Sequence, residues 1–342
     1  MRLIVDGFGK FVGVENGMLV VKKKNQILRK VRADELNQLL ITGKSAISSD
    51  ALILLAEKGV DVVILSGNEV AARLGHFLPG TVKTRREQYL AYYDRRGVFL
   101  AKEFVRAKLK NQSSFLFNLA KARKETKPKL AEKLIEAREA IERDISALSM
   151  IEGAKIDDVR DQILGVEGSA SETYWNAISS IIPPDYLFTG RRGDRGPRFA
   201  QDIVNAMLNY GYAVLHAECL KAVEIAGLDP YAGFLHADRS GRTSISLDLM
   251  ECFRQPVVDR SVVKLVTQSQ IKPDDCRFEN FVCILNEDSK KRLLSEIFER
   301  LEAKTQYKGK NMSLSSVIRS QAREIASFLK NEGGYEAFTQ NW

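Results

Sequence analysis

Several common features are missing from this sequence, and each absence excludes a class of protein. No apolar run approaches the roughly 18–20 residues that a membrane-spanning helix requires. The first residues lack the uninterrupted apolar stretch and small-residue cleavage site of a secretory signal peptide. The four cysteines show no CxxC spacing, which disfavours a zinc ribbon or a disulfide framework. We therefore expect a cytoplasmic protein without membrane contact, in which Cys219 and Cys252 are small buried hydrophobic residues.

Histidine is also scarce, so few residues are available for imidazole chemistry. Only His76, His216 and His236 occur. His76 is predicted to be structural, and His216 falls in a helical pattern, where a structural role is more common than a ligand role. His236 follows a helix-stop and turn sequence, residues 227–230 and Gly233. That context predicts a loop that presents the His236 side chain to a site.

Charge is abundant but unevenly distributed along the chain. Hydrophobic residues make up 44% and charged residues 28%, which is typical of a folded globular protein. Residues 81–130 contain 14 lysines and arginines against 4 acidic residues, a local excess of +10 in a chain of net charge +8. Such a concentrated excess is expected of a protein that binds a polyanion. A solvated, lysine-rich helical surface would show the same composition.

The N-terminal part has the apolar spacing of a β-rich structure. Residues 1–75 contain short apolar runs separated by turn signals, and Asn16-Gly17 between two such runs is typical of a hairpin. One helix is predicted within this part. Residues 48–50 supply an N-cap, an apolar stretch follows, and Gly59 supplies the C-terminal glycine.

The period changes near residue 80, and from Thr84 onward helical spacing dominates, with a break at Pro128. The sequence therefore predicts an α+β fold with two domains. A small β-rich N-terminal domain covers residues 1–78, and a linker covers residues 79–84. A larger, all-α domain covers residues 85–342.

Acidic residues in this second part could bind a metal ion. Asp248 and Glu251 are three residues apart, which places both carboxylates on one helical face. Adjacent like charges disfavour each other unless a cation compensates them, and Mg²⁺ or Mn²⁺ takes carboxylate oxygens. On spacing alone, a solvated acidic face is the more common explanation. Glu167 is a third candidate, because Gly165 and Gly168 beside it would let another segment approach closely. Glu172 competes with Glu167.

A cationic loop is predicted between these segments. Residues 188–199 contain three glycines and four arginines, Arg191, Arg192, Arg195 and Arg198. The guanidinium group suits phosphate oxygens, which predicts contact with nucleic acid. A disordered surface loop is the alternative, and both hold if the loop orders on nucleic acid.

Four segments, taken in order, resemble the CRISPR-associated adaptation integrase, the universal Cas-one endonuclease family. Each is weak alone, but their order and intervals together are specific. The start of the chain, Met1–Gly9, and the segment Thr84–Tyr89 extend the resemblance over most of its length. The four segments are Gly165–Ala170 with Tyr174-Trp175, Asn205–Leu215, Ala226–His236, and Ser246–Glu251 with Phe253-Arg254.

The resemblance implies an N-terminal β-domain that dimerises and a helical catalytic domain that binds Mg²⁺ or Mn²⁺. It implies that Glu167, His236 and Glu251 are the catalytic metal ligands, with Asp248 adjacent. Asp or Glu is accepted at the last ligand position, so Glu251 is not a departure. The family's arginine-rich loop usually contains more proline than residues 190–198 do, which leaves the DNA-contacting arginines of that loop undefined.

The implied function is the acquisition of new CRISPR spacers. A homodimer would join the small Cas-two partner in a hetero-hexameric integration complex that acts on double-stranded and branched DNA. The 3′-hydroxyl ends of short foreign duplexes would be joined into the repeat array by transesterification, which requires no protein nucleophile. We expect the arginines of the basic region and of the loop to hold phosphates. These arginines are Arg85, Arg86, Arg95, Arg96, Arg191, Arg192, Arg195 and Arg198.

Two other functions are compatible with the same residues. One is a non-enzymatic DNA-binding or scaffold protein whose metal site has decayed. The other is a free-standing nuclease that repairs branched DNA. Acidic residues at all the matching ligand positions argue against the first, and activity on Holliday-like or flap substrates compared with duplex ends would distinguish the second.

Overall fold

The computed structural model describes residues 1–24, 26–66, 69–74, 82–191, 199–340 and 342. The chain forms two compact units, Met1–Pro79 and Gly80–Trp342. Among the described residues, no helix is both long and apolar enough to span a membrane.

The N-terminal unit contains two four-stranded sheets and one helix. In the first sheet the order is β1-β5-β7-β8, with β8 antiparallel to β7 and the other neighbours parallel. In the second the order is β4-β3-β2-β6, with β6 parallel to β2. Apolar side chains from both sheets and from α1 form one core. The elements are β1 (Arg2–Val5), β2 (Lys10–Glu15), β3 (Met18–Lys23), β4 (Gln26–Val31), β5 (Gln38–Ile41), β6 (Ser45–Ile47), α1 (Ser49–Glu57), β7 (Asp61–Ser66) and β8 (Glu69–Leu74).

The local signals of the sequence explain this unit well. Asn16 and Gly17 connect β2 to β3 with φ values of +51° and +73°, the left-handed pair that a two-residue hairpin turn requires. Ser48 caps α1, because its hydroxyl accepts a hydrogen bond from the amide of Ala51 at 3.2 Å. Gly59, with a φ of +66°, follows the end of that helix. The predicted hairpin and the predicted helix are therefore confirmed.

The C-terminal unit is mainly helical and also contains two antiparallel hairpins. The helices are α2 (Val82–Ala91), α3 (Arg95–Lys121), α4 (Pro128–Ser149), α5 (Arg160–Ser179), α6 (Ile203–Ile225), α7 (Ser244–Glu251), α8 (Arg260–Thr267), α9 (Glu287–Glu302) and α10 (Leu314–Leu329). The hairpins are β9 (Cys276–Glu279) with β10 (Val282–Leu285), and β11 (Lys304–Tyr307) with β12 (Lys310–Ser313).

The α+β class and the mainly helical second part are confirmed, but the prediction that this part contains helices alone is wrong, because it also contains two hairpins. Each hairpin strand has only four residues, too short for a clear alternation of apolar and polar positions. The turns use Asn280 and Phe281 in one hairpin and Lys308 and Gly309 in the other, all with positive φ. Only Lys308-Gly309 resembles a usual turn signal.

The last residues of the chain form part of the helical core. Asn111 of α3 is fully buried, and its side-chain amide donates to the carbonyls of Cys252 and Phe338 at 2.8 and 3.2 Å. Its oxygen accepts from the amide of Gln340 at 2.7 Å. The Phe338 ring stacks on Phe253 with ring centroids 5.1 Å apart. One side chain thus joins α3, the end of α7 and the C-terminal segment.

We predict that Asn111→Ala lowers the free energy of unfolding by about 2–4 kcal/mol, since three buried backbone groups lose their partner. The measurement is denaturant unfolding followed by circular dichroism. Asn118→Ala, on the same helix but only half-buried, is the matched control and should change stability by less than about 0.5 kcal/mol. Equal effects of the two substitutions would contradict this account of Asn111.

Candidate metal and nucleic-acid site

One cavity of the helical unit brings together the predicted metal ligands. Helix α5 contributes Glu167, the loop before α7 contributes His236, and α7 contributes Glu251. The cavity volume is about 600 Å³. Its lining residues are Lys108, Gln112, Leu164, Glu167, Gly168, Ser171, Glu172, Trp175, Asn176, Thr189, Gly190, Arg191, Tyr212, Leu235, His236, Glu251, Arg254 and Gln255.

Asp248 holds the histidine loop against α7. Its carboxylate is completely buried and accepts hydrogen bonds from the backbone amides of Phe234, Leu235 and His236 at 2.7, 3.1 and 2.9 Å. Gly233 permits this approach, because a Cβ there would lie 2.5 Å from the Cβ of Ser244 and 3.1 Å from Asp248 Oδ2. The solvated acidic face considered for Asp248 and Glu251 is therefore wrong, since both are buried.

The same carboxylate also orients the imidazole. Asp248 Oδ1 lies 2.6 Å from His236 Nδ1. A carboxylate can only accept, so Nδ1 is the donor of this hydrogen bond and Nε2 is the ring nitrogen left for another partner. His236 Nε2 lies 3.8 Å from Glu251 Oε1. This arrangement of a carboxylate behind a histidine is the one that typically supports a metal ligand.

A lysine lies between the two glutamates. The Lys108 ammonium donates to Glu167 Oε1 and forms an ion pair with Glu251 Oε2 at 2.8 Å. Ser171 donates a further hydrogen bond of 2.8 Å to Glu167 Oε1. Burial is the largest influence on the pKa of the Glu167 carboxyl and raises it, but the charge and hydrogen bond of Lys108 together with the hydrogen bond from Ser171 leave that pKa below its usual value. Glu167 is therefore ionised at neutral pH.

Arg254 is the second cation on Glu251. Its guanidinium contacts both carboxylate oxygens, with Nε and an Nη each 3.0 Å away. Burial alone would raise the pKa of the Glu251 carboxyl, yet Arg254 and then Lys108 hold it well below its usual range. The guanidinium also lies over the Tyr212 ring, 4.5 Å from the centroid. Glu251 is thus held rigidly between two cations.

A buried network lies behind Arg254. The hydroxyls of Tyr174 and Tyr212 donate to the two oxygens of Asp259 at 2.9 and 2.5 Å. The segment Arg254–Asp259 is π-helical, a rare conformation that is often found at functional sites. Burial and then the Asp259 charge raise the pKa of both tyrosines, which stay protonated donors at neutral pH. The network holds the element that carries Arg254.

The structure also places the residues that competed for these roles. His216 does not line the cavity; its Nε2 is 2.8 Å from the Thr243 hydroxyl and 2.9 Å from that of Ser246. Burial, with Arg254 and His236, lowers its pKa to about 4, so the ring is neutral. Glu172 does line the cavity. His76 lies outside the described residues.

The two glycines beside Glu167 do not have the predicted role within this chain. A Cβ at Gly165 or Gly168 would meet no atom within 4 Å, so no described segment approaches them closely. Gly168 instead lines the cavity. The prediction of a close approach at these glycines is wrong for the described part of the chain.

The arginines predicted to bind DNA differ in their surroundings. Arg85, Arg86 and Arg95 are exposed. Arg96 is not free to bind phosphate: its guanidinium is occupied by Asp94, Glu87 and the carbonyl of Leu329. We therefore correct the predicted set by removing Arg96.

The loop arginines can be described only in part. Arg191 lines the cavity, donates to Asn205 and Asn209 at 3.1 and 2.8 Å, and lies over the Tyr212 ring. Arg192, Arg195 and Arg198 lie outside the described residues.

Sequence reasoning missed the role of Lys108 and Arg254 in this site. Arg254 belongs to a segment of the family resemblance, and its position one turn after Glu251 was an available signal. Lys108 had no such signal, because it is one of fourteen basic residues within residues 81–130.

The donor types fit a hard divalent metal ion. Two carboxylates and one imidazole nitrogen suit Mg²⁺ or Mn²⁺. No three histidine, cysteine or acidic side chains of the described chain already stand close enough to share an ion. The Lys108 ammonium lies between the two glutamate carboxylates. The donor types of these residues suit a divalent metal ion, and Lys108 contacts one oxygen of each glutamate.

Comparisons with known proteins identify the family. The family described as "CRISPR associated protein Cas1" matches residues 3–299. The chain is 57% identical over 345 residues to an Archaeoglobus fulgidus protein named CRISPR-associated endonuclease Cas1 1, with all of both chains covered. It is 32% identical over 344 residues to a Francisella tularensis subsp. novicida protein of the same name, covering 100% of this chain and 99% of the other.

Solved structures agree with this assignment. A casposase bound to its integration product has a TM-score of 0.84 and 27% identity, covering 99% of this chain and 93% of the casposase. A CAS1 protein from Thermotoga maritima shares the fold, with a TM-score of 0.76 and 18% identity over 99% of this chain and all of the other. The chain that builds this carboxylate and histidine cavity therefore belongs to the Cas1 family of CRISPR-associated proteins.

Proposed function

We propose that this protein is a divalent-metal-dependent DNA endonuclease and integrase of CRISPR adaptation. It would join the 3′-hydroxyl ends of short foreign duplexes into the CRISPR repeat array. The observation that carries the proposal is that Glu167, His236 and Glu251 line one cavity, where Lys108 bridges the two carboxylates and His236 Nε2 lies 3.8 Å from Glu251 Oε1. The relatives named as endonucleases and the casposase bound to its integration product support the same chemistry.

The proposed metal ligands are Glu167, His236 and Glu251, with Asp248 behind His236. A Mg²⁺ or Mn²⁺ ion bound there would polarise the scissile phosphate and assist ionisation of the attacking hydroxyl. Asp248 would keep Nε2 of the imidazole directed at the ion. Arg254 would hold the Glu251 carboxylate in one orientation.

The reaction we propose is a transesterification without a protein nucleophile. The 3′-hydroxyl oxygen of the incoming duplex forms a bond to phosphorus in the array. The bond from that phosphorus to the 3′ oxygen of the array strand breaks, and the departing oxygen takes up a proton. Ser171, a hydroxyl residue of the described cavity lining, donates its hydrogen bond to Glu167 and has no histidine base. DNA itself would therefore supply the nucleophile.

Binding of the DNA backbone is assigned to exposed arginines. Arg85, Arg86 and Arg95 lie in the basic region and are exposed. Arg191 borders the cavity, where its guanidinium could reach a phosphate near the reacting group. Arg192, Arg195 and Arg198 remain proposed contacts from the sequence.

The proposed assembly is a homodimer, formed through the N-terminal unit, that joins Cas2 in a hetero-hexameric integration complex. One structure of the same fold is titled a Cas6-RT-Cas1--Cas2 complex, with a TM-score of 0.77 and 20% identity over 100% of this chain and 36% of the other. The proposed substrates are double-stranded and branched DNA.

The metal ligands are tested by substitution. Glu167→Gln, His236→Ala and Glu251→Gln should each reduce Mn²⁺- or Mg²⁺-dependent cleavage and strand joining by at least about a hundredfold. Duplex binding, measured by fluorescence anisotropy, should be largely retained because the arginines are unchanged. Glu172→Gln, in the same cavity but outside the ligand set, is the control.

The result also separates the competing functions. Full activity of His236→Ala, or activity in excess chelator, would refute the metal site. Binding of DNA with no strand joining under either metal would indicate a scaffold protein. Cleavage of flaps or Holliday-like junctions without joining of duplex ends would indicate a repair nuclease.

Asp248 is tested through metal affinity. Asp248→Asn should weaken Mn²⁺ binding in calorimetry by about 10- to 100-fold, because the imidazole loses the partner that fixes its tautomer. Asp238→Asn, on the same loop, is the control; Asp238 accepts one bond of 3.2 Å from the Gly233 amide. An unchanged affinity in Asp248→Asn would show that the imidazole does not depend on Asp248.

The arginines are tested through the salt dependence of DNA binding. Replacing Arg85, Arg86 and Arg95 together by Glu should flatten the slope of log K against log salt by up to about three, since each duplex phosphate contact contributes about 0.9. The control replaces the exposed Lys291, Lys304 and Lys310 by Glu, which changes the net charge equally. Equal slopes in the wild-type and arginine-variant proteins would mean that these arginines are only a solvated face.

A further inference from the structure

Lys108 belongs to the basic region of residues 81–130, but unlike a surface lysine it is buried. It lies on α3, only 9% of the residue is exposed, and it contacts both Glu167 and Glu251. Burying an ammonium is costly unless its charge is compensated, and two carboxylates do so here. Lys110, two residues further, faces a different groove on the other side of the helix.

Lys108 contacts one oxygen of each carboxylate in the proposed ligand set. Nζ contacts Oε1 of Glu167 and Oε2 of Glu251. An ion bridging the two carboxylates would meet a positive charge within a few ångströms, where repulsion is strong in a buried site. Lys108 and a divalent ion therefore cannot occupy this position together.

We propose that Lys108 is a built-in competitor of the divalent ion. Its ammonium holds the two ligand carboxylates together when no ion is bound and must leave before an ion binds. The proposal rests on the proposed metal-dependent function. It assigns to this side chain a role that sets metal affinity, separate from any contact with DNA.

Gln112 provides a place for the displaced ammonium. It is fully buried, lines the same cavity and lies one helical turn beyond Lys108 on α3. Neither its side-chain oxygen nor its nitrogen has a hydrogen-bond partner among the described residues. Unpaired buried amides are costly, so Oε1 of Gln112 is a favourable acceptor for Nζ. The lysine chain is flexible, and the cavity of about 600 Å³ leaves room for its rotation.

Arg254 does not share this role. It is fixed by two contacts to Glu251 and by the Tyr212 ring, whereas the contacts of Lys108 within the described part of the chain are to these two carboxylates and to no aromatic ring. Glu251 thus keeps one compensating cation when Lys108 leaves. Because Arg254 stays in place, a metal ion can replace Lys108 without leaving the buried Glu251 carboxylate unpaired.

The test is direct Mn²⁺ binding to the full chain without DNA, by calorimetry and by the electron paramagnetic resonance of free Mn²⁺. Lys108→Met, which keeps the length but removes the charge, should bind Mn²⁺ at least about tenfold more tightly than wild type. Lys108→Arg should retain the weaker affinity because the competing charge remains. Lys110→Met is the matched control and should not change the affinity.

Two further measurements keep the proposal testable if Lys108→Met is unstable. Thermal unfolding with and without Mn²⁺ should show a larger stabilisation by the ion in Lys108→Met than in wild type. Gln112→Met should weaken Mn²⁺ binding, because the displaced ammonium loses its acceptor. The two substitutions therefore shift affinity in opposite directions, which general destabilisation would not do.

The outcomes separate this proposal from the proposed function. An unchanged or weaker Mn²⁺ affinity in Lys108→Met, with binding in wild type that Glu167→Gln abolishes, would overturn the competition and leave the metal site standing. Absence of Mn²⁺ binding in wild type and in Lys108→Met alike would overturn the proposed metal site and this proposal with it. Tighter Mn²⁺ binding in Lys108→Met, with the affinity of Lys110→Met equal to that of wild type, would support the proposed competition.

Discussion

The helical unit is organised around the compensation of buried carboxylates. Glu251 and Asp248 are both almost inaccessible to solvent. An unpaired buried carboxylate is among the most destabilising groups a protein can contain, so each requires its own partners. Two cations surround Glu251, whereas backbone amides and one imidazole surround Asp248. The groups that compensate both carboxylates come from α3, the histidine loop and the π-helical turn.

This requirement divides the residues around the site into fixed and exchangeable groups. Arg254 is fixed, because Tyr212 and the Asp259 network hold the element that carries it. Asp248 is fixed by four hydrogen bonds, so His236 has one orientation. Lys108 joins two carboxylates through a flexible chain that ends in the cavity. The site thus combines a rigid frame, needed to orient ligands, with one cation that can be replaced.

Local signals in the sequence predicted the structure where neighbouring residues determine conformation. The Asn16-Gly17 hairpin and the capped helix after Ser48 follow from backbone preferences of single residues and are confirmed. The second domain was wrongly predicted to be all-α, because four-residue strands leave no measurable period. Spacing also placed Asp248 and Glu251 on one helix correctly, but it favoured a solvated face. The burial of these carboxylates depends on contacts with α3, and the spacing of residues in the sequence does not reveal such contacts.

By itself the sequence determined the order of elements, the concentration of basic charge and the donor types, because these depend on residue identity and local period. The resemblance carried by the ordered segments implies Glu167, His236 and Glu251 as the ligand set. Only the tertiary structure decided that Arg96 is occupied by its own neighbours while Arg85, Arg86 and Arg95 are exposed. It also decided that Lys108, one basic residue among many, lies between two of the ligand carboxylates. Which charges meet is set by how distant helices pack, and packing joins residues that are far apart in the chain.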